Sequence, residues 1–295
     1  MQNLKILTIE DKPIFDNFFR SDPPEASEYT FTNLFMWRKK YHPSWTVIDD
    51  CLVIIMNPSN EKSFGLFPIG LGDKRTALKN LKNLLIECSG QSLVSRVESR
   101  MVNRFIDDSE FEIDFDRDNS DYVYLSEHLW SLPGNRYHRK KNHLNRFKKK
   151  WDYQFLCFDE HLIDKVLQLQ EDWCEFRDCD ASPDLAYEDQ AVFEALKNYP
   201  ILGFNGGAIL IDGKVQAFSL GEMLNPETSV IHIEKANPEI PELYTAINQM
   251  FAMNVWSKIK FINREQDLGL AGLRKAKESY YPDHMVEKYV LHGKG

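Results

Sequence analysis

Ala208-Ile-Leu-Ile-Asp-Gly-Lys-Val-Gln-Ala-Phe-Ser-Leu220 decides the fold class of this 295-residue chain. Two apolar strands flank Asp212-Gly213, a dipeptide suited to the positive φ angles of a tight hairpin turn. Upstream, Tyr153–Phe158 alternates as a strand. Ile163, Val166, Leu167, Trp173 and Cys174 then recur near helical period over 162–176, and a second helical stretch runs from Tyr187 to Asn198. Downstream, Ser229–Lys235 reads as a strand and 242–256 as an amphipathic helix with Leu243, Ala246, Ile247, Met250 and Met253 on one stripe. Lys260–Asn263 is a short strand, Leu270–Tyr280 a helix, and Met285–Leu291 a closing strand. Strand, helix, helix, hairpin, strand, helix, strand, helix, strand is an α/β order. It gives mixed sheets with helices on both faces.

The first half repeats this outline. A helix is expected over 11–19, strands over 51–56 and 63–67, a helix over 75–88 with Leu78, Leu81 and Leu85 on one face, and strands near Leu93 and Phe111. Polar Asp116-Arg-Asp-Asn-Ser-Asp121 suits a connection, so the expected division is 1–118 and 119–295.

Composition narrows the class. Hydrophobic residues make up 43% and charged residues 27%, ordinary for a packed globular protein. No apolar run approaches the ~20 residues of a membrane-spanning helix. The N-terminus lacks the basic flank and apolar stretch of a signal peptide, so a cytoplasmic protein is expected. The five cysteines show no Cys-x-x-Cys spacing and read as free thiols. No motif of His-Glu-x-x-His type or cysteine cluster points to a metal.

The net charge of −9 is unevenly placed: residues 136–150 carry eight Lys/Arg and no acid. Pro133-Gly-Asn135 reads as a helix start with Asn135 as N-cap. On a helix over 135–151, Tyr137, Leu144, Phe147 and Trp151 share one stripe. Arg139, His143, Arg146 and Lys150 form the opposite ridge, about 25 Å long at ~1.5 Å per residue. Lys141 lies on the flank with Lys140, Lys148 and Lys149. Like charges four apart cost a helix ~0.2–0.5 kcal/mol per pair, which favours an anion-binding role over plain solvation. RNA phosphates (a tRNA first), a phospholipid headgroup or a nucleotide would each serve, and a phospholipid would place the chain peripherally at a membrane.

Asp121-Tyr-Val-Tyr124, the helix Gly134-Asn-Arg-Tyr-His-Arg-Lys-Lys-Asn-His-Leu-Asn-Arg-Phe147, Asn263-Arg-Glu-Gln-Asp-Leu-Gly269, Leu273-Arg-Lys-Ala-Lys277 and Tyr280-Tyr-Pro282 resemble a known group. It is the tandem-GNAT group of Fem-type peptidyl aminoacyltransferases and the soluble domain of lysyl-phosphatidylglycerol synthases. The match is best to the C-terminal domain family of the latter and covers most of the chain. The resemblance implies two fused GNAT (acyl-CoA N-acyltransferase) folds, aminoacyl-tRNA as a donor and no required cofactor. The lipid-modifying members carry a membrane-spanning portion that this sequence lacks.

In a GNAT domain two parallel strands splay apart, and the next helix N-terminus holds the donor's phosphates. Acetyl-CoA users place a glycine-rich loop there. This chain has Asn237-Pro-Glu-Ile-Pro-Glu-Leu-Tyr244, with no glycine and two prolines that lack amide donors, so acyl-CoA is the weaker donor. Asp267 reads either as a proton acceptor or as a cap of the following helix. His232 and Glu234 share a strand face and could act as base and orienting partner. Arg274, Lys277 and Tyr281 could bind a phosphate or pair locally. The leading expectation is an aminoacyl- or acyltransferase. A non-catalytic RNA- or lipid-binding protein and a CoA-dependent N-acyltransferase are its rivals.

Overall fold

The computed structural model describes residues 4–59 and 61–294, divided into two compact units. The first comprises residues 1–121, Gln266–Arg274 and Met285–Gly295; the second comprises Tyr122–Glu265 and Lys275–His284.

In the first unit, strands run in the order Lys5–Ile6, Ser44–Ile48, Cys51–Met56, Phe64–Gly65, Leu93–Glu98, Lys288–Gly293 and Phe111–Phe115. The hairpin at 44–56 turns on Asp49 and Asp50, both at positive φ, the conformation a two-residue hairpin demands. The helix Lys74–Ser89 begins where the Asp73 carboxylate accepts the amides of Arg75 and Thr76, and ends at Gly90 in the left-handed region. Leu78, Leu81 and Leu85 pack from it onto Val53, Ile55 and Val94, the face read from the sequence.

The closing strand is allotted differently from the 119–295 expectation. Lys288–Gly293 inserts between Leu93–Glu98 and Phe111–Phe115 in the first sheet. A strand's apolar alternation fixes which face is buried but not which sheet it joins. Here an ion pair supplies the address: buried Lys288 Nζ donates to Glu28 at 2.7 Å and Asp121 at 2.6 Å.

In the second unit the sheet order is His284–Val286, Asp121–Leu125, Phe261–Asn263, Thr228–Ala236, Lys214–Asn225, Asn205–Ile211 and Tyr153–Cys157. The hairpin turns on Asp212 and Gly213, at φ +51° and +76°, as its sequence requires. Helices Ile163–Arg177, Pro183–Lys197 and Leu243–Asn254 fall where periodicity places them.

Two further expectations change. Cys174 and Cys179 are bridged by a disulfide, leaving Cys51, Cys88 and Cys157 as free thiols. Asp178 adopts the left-handed conformation at the end of Ile163–Arg177. That turn folds the chain back and brings the two Cα atoms to 5.0 Å, inside disulfide range. Three thiols should therefore react per denatured, unreduced chain, and all five after reduction. Five without reductant would remove the bridge.

The basic helix is the second change. Asn135 does not cap it; a 3₁₀ turn over Asn135–Tyr137 precedes the helix His138–Lys150. Tyr137, Leu144 and Phe147 are buried and Trp151 half-buried, so the apolar stripe is as read. Among the described residues, no helix is long and apolar enough to cross a membrane.

Candidate active site

The site is built where two parallel strands separate. Thr228–Ala236 pairs with Phe261–Asn263 only through Thr228–Phe261, Ser229–Ile262 and Val230–Asn263. The longer strand then continues through Ala236 with no strand pairing on that side among the described residues, while staying paired to Lys214–Asn225 on the other. Residues 264 and 265 turn the shorter strand away. Glu265 takes φ +57° and its amide donates to the Asn263 side chain at 2.7 Å. Lys277 Nζ donates to the carbonyls of Arg264 and Glu265. Alternate backbone groups of 231–236 consequently have no neighbouring strand on that side among the described residues, and that of Ala236 meets the Tyr244 hydroxyl instead.

A polar centre lies where the strands part. Glu234 accepts from Arg264 Nη2 at 3.0 Å and from Asn248 Nδ2 at 3.2 Å. Asn248 comes from Leu243–Asn254 and is fully buried. The ring of Tyr280 lies 5.0 Å from the Arg264 guanidinium. Arg264 Nη1 and Asn248 Oδ1 are buried and have no hydrogen-bond partner. An orphaned buried polar atom costs ~1–3 kcal/mol, and such atoms warrant a functional explanation. Together they offer one donor and one acceptor to a small polar group.

Lys140, on the basic helix, reaches this centre: its ammonium sits 3.9 Å from the Tyr280 ring centroid. Burial pushes its pKa down to about 8, with Arg264 and Arg139 adding to the effect and Glu234 opposing it. A lysine titrating there can hold or accept a proton near neutrality. Sequence reading placed Lys140 on a flank. A helical wheel separates apolar from charged faces, but it does not say which cation turns inward.

His232 is deeply buried between two carboxylates, with Nδ1 2.8 Å from Glu265 and Nε2 3.0 Å from Glu222. Burial alone would lower its pKa. The hydrogen bonds and charges of Glu222 and Glu265 outweigh it and raise the pKa to about 9. At neutral pH it is therefore an imidazolium that donates to both carboxylates. Glu234, read from the sequence as the group that orients His232, instead has Arg264 and Asn248 as its partners.

The sign of the linkage follows. The stability His232 contributes is fully present below its ordinary pKa of 6.5 and is lost as pH rises through about 9. The loss should be on the order of 3 kcal/mol. Denaturant unfolding across that range should show the decline in the wild type and a flatter profile in His232→Asn.

Asp267 lies in the first unit and is fully buried. Its Oδ2 accepts from Arg117 at 3.1 Å and Arg274 Nε at 2.9 Å; its Oδ1 accepts from Arg274 Nη2 and the Gly269 amide, both at 2.9 Å. Arg274 also binds Asp118 at 2.6 Å. Asp267 is thus an anchor, and Arg274 has its fork occupied by carboxylates. Buried Lys277 holds the carbonyls at 264 and 265. Tyr281 is half-exposed, and its hydroxyl lies 3.4 Å from the Arg136 carbonyl.

Of the predicted ridge, Arg139, His143 and Arg146 border an open concavity of ≈550 Å³ together with Asn142, Asn145 and Lys149. Lys150 lies over the Trp151 ring at 4.9 Å, and Lys141 is half-buried. Arg146 pairs with Glu242 at 2.9 Å, at the start of Leu243–Asn254. Burial, then Arg146, push the His143 pKa down. The loop ahead of that helix has its amides engaged: Glu239 donates to the Asn237 side chain, Ile240 to the Asn237 carbonyl and Leu243 to the Ile240 carbonyl.

The family described as "Phosphatidylglycerol lysyltransferase, C-terminal" matches residues 20–292. The chain belongs to this family. Among solved structures, this phosphatidylglycerol lysyltransferase C-terminal family member is similar to a conserved protein of unknown function from Bacteroides thetaiotaomicron. They share 33% identity over 100% of both chains, with a TM-score of 0.94. It is also similar to the C-terminal domain of a putative lysylphosphatidylglycerol synthetase from Agrobacterium fabrum, at 11% identity over 97% of this chain and 92% of that one, TM-score 0.71. FemX matches at 10% identity over 98% and 96%, TM-score 0.59. The last two likenesses show the fold: the mixed α/β architecture described above is shared with those two proteins. No match was found among curated proteins.

Proposed function

We propose that this family member is an aminoacyltransferase. It would move an aminoacyl group from the ester of a charged tRNA to an amine or hydroxyl acceptor. The observation that carries the reading is the parting of the strands after Val230 and Asn263 around the Glu234–Arg264–Asn248 centre. The family, described as phosphatidylglycerol lysyltransferase, and the Agrobacterium relative, a putative lysylphosphatidylglycerol synthetase, point the same way.

The steps assign roles to this chain's residues. The aminoacyl carbonyl lies in the opening, where strand amides beyond Val230 stabilise its developing oxyanion. The acceptor's nitrogen or oxygen attacks that carbon, and neutral Lys140 takes the displaced proton. As the tetrahedral intermediate collapses, the bond to the tRNA ribose oxygen breaks and that oxygen receives the proton. Glu234 and Asn248 position the substrate's α-amino group, and Arg264 holds Glu234 in place. The concavity of Arg139, His143, Arg146 and Lys149 takes the tRNA phosphates.

Acyl-CoA is disfavoured as donor. A pyrophosphate at the start of Leu243–Asn254 would find prolines, engaged loop amides and the Glu242 carboxylate. The test is transfer of labelled amino acid from a set of charged tRNAs to small amines and to phosphatidylglycerol. Turnover with any of them, without thermal protection by acetyl-CoA, supports the proposal. Protection by acetyl-CoA and not by tRNA would replace it with the CoA-dependent reading, since a ligand of the native state raises its stability. RNA binding without turnover would favour the non-catalytic one.

A further inference from the structure

Lys235 is held by one residue from each of two helices. Its ammonium lies 3.3 Å from the centroid of the Trp173 ring, on Ile163–Arg177, and 2.6 Å from Glu188 Oε1, on Pro183–Lys197. Lys235 is buried and belongs to the segment 231–236 that has no strand pairing on one side among the described residues. Trp173 extends the grip. Its indole N–H donates to the Tyr244 hydroxyl at 3.3 Å, and that hydroxyl meets the backbone of Ala236. Tyr244 lies in the first turn of Leu243–Asn254. The two helices therefore bear on both elements that present the bonded pair Glu234 and Asn248.

The Cys174–Cys179 bridge closes the turn between those helices, and Cys174 directly follows Trp173. Three features mark it as a bridge that opens. Cys174 is half-buried while Cys179 is buried, so a thiolate from solution can reach one of the two sulfurs. Beside it, Gln170 Nε2 lies 3.7 Å from Cys174 Sγ and donates to Asp189 at 3.0 Å, while Gln170 Oε1 is buried without a hydrogen-bond partner. A disulfide sulfur has no proton to give that oxygen; a thiol has one. The orphaned acceptor, a feature that native proteins seldom keep without a reason, suits the reduced state. Thirdly, exposed Cys88 and Cys157 remain thiols in the same chain, and a disulfide in surroundings that preserve thiols is usually transient or redox-sensing.

We propose that Cys174–Cys179 is a reversible redox site through which a dithiol loosens the hold on residues 235, 236 and 244. One thiolate of the dithiol attacks Cys174 Sγ and breaks the S–S bond, and Cys179 leaves as a thiolate. The second thiolate attacks the mixed disulfide and releases Cys174. Two electrons pass from the dithiol, which ends as a disulfide, and its two protons end on the two cysteines. Without the cross-link the turn at 178–182 opens more often, and Trp173 and Glu188 are less firmly tied to each other around Lys235. The Gln170–Asp189 bond still joins the helices, so the change is a local opening within a folded unit. Its bearing on donor binding rests on the transfer reading; the redox site itself does not.

The test is amide hydrogen exchange of the full chain with and without dithiothreitol. Reduction should speed exchange across 173–183 by up to ~40-fold, the loop-closure constraint that so short a ring removes, and should also speed it at 235–236 and 244. Re-oxidation with oxidised glutathione should restore the slow rates. Cys174→Ser/Cys179→Ser should match the reduced wild type and ignore the reagent. Exchange unchanged on reduction would overturn the proposal, as would a change confined to 178–182 or one that the double serine variant still shows on adding dithiothreitol. The oxidised chain should also bind an aminoacyl-adenosine amide at least ~5-fold more tightly than the reduced one. Equal affinities would overturn the bearing on the donor. Binding to neither form would count against the transfer reading and leave the exchange result to decide the redox site.

Discussion

Lys140→Met should lower the aminoacyl transfer rate by ~10²–10³-fold, the range for loss of a positioned proton acceptor. Lys140→Arg should do nearly the same. In the wild type, kcat should rise with pH and level off above about 8, because the deprotonated lysine is the active form and its pKa sits there. Both variants should lose that inflection. The arginine variant carries the argument, because it keeps the positive charge and the length but stays protonated at every accessible pH. If Lys140 served only to bind phosphate, arginine would restore activity and the inflection would be unrelated to it. A steady-state pH profile of the three proteins separates the two roles.

Asp267→Asn should destabilise the fold by ~3–5 kcal/mol, the cost of removing one partner of a buried ion pair and leaving the others uncompensated. The carboxylate is fully buried and binds Arg117 and Arg274 together. An amide cannot accept two guanidinium groups through charge-assisted bonds. Whatever fraction of the variant is folded should turn over close to the wild-type rate. Calorimetry alongside active-site-normalised kinetics checks both halves. A variant of normal stability with a kcat lowered ~10²-fold would return Asp267 to the chemistry.

These two residues show where the sequence was legible and where it was not. Asp267 sits in a conspicuous polar run after a strand, and its residue type suited either a base or a structural acceptor. The choice turned on Arg117, 150 residues away in the sequence, which no local pattern reveals. Lys140 was one of eight cations on a single helix. Its distinction comes from Tyr280 and Arg264 approaching it from other elements, which the helix's own sequence does not encode.

Local signals fared better. Asp212-Gly213, the Leu78–Leu85 face and the Tyr137–Phe147 stripe each depend on one element's own period or turn chemistry. The structure places all three as read. The strand at 288–293 and the Cys174–Cys179 bridge were misplaced because partner choice is a tertiary property. For the bridge, the deciding feature is the left-handed Asp178, a conformation that Asp adopts often enough to be allowed and too seldom to be predicted. Strand alternation pointed to Glu234 but not to its partner Arg264, since an arginine just past a strand end is ordinarily a solvated one.

The most direct measurement is a crystal structure of the chain with a non-hydrolysable aminoacyl-adenosine amide. The expected result is an aminoacyl carbonyl seated beside the main chain of 231–236, with its α-amino group on Glu234 and Asn248 and its adenosine leading toward Arg139 and Arg146. An opening left empty by that compound but filled by acetyl-CoA, or an aminoacyl group bound away from the separated strands, would contradict it.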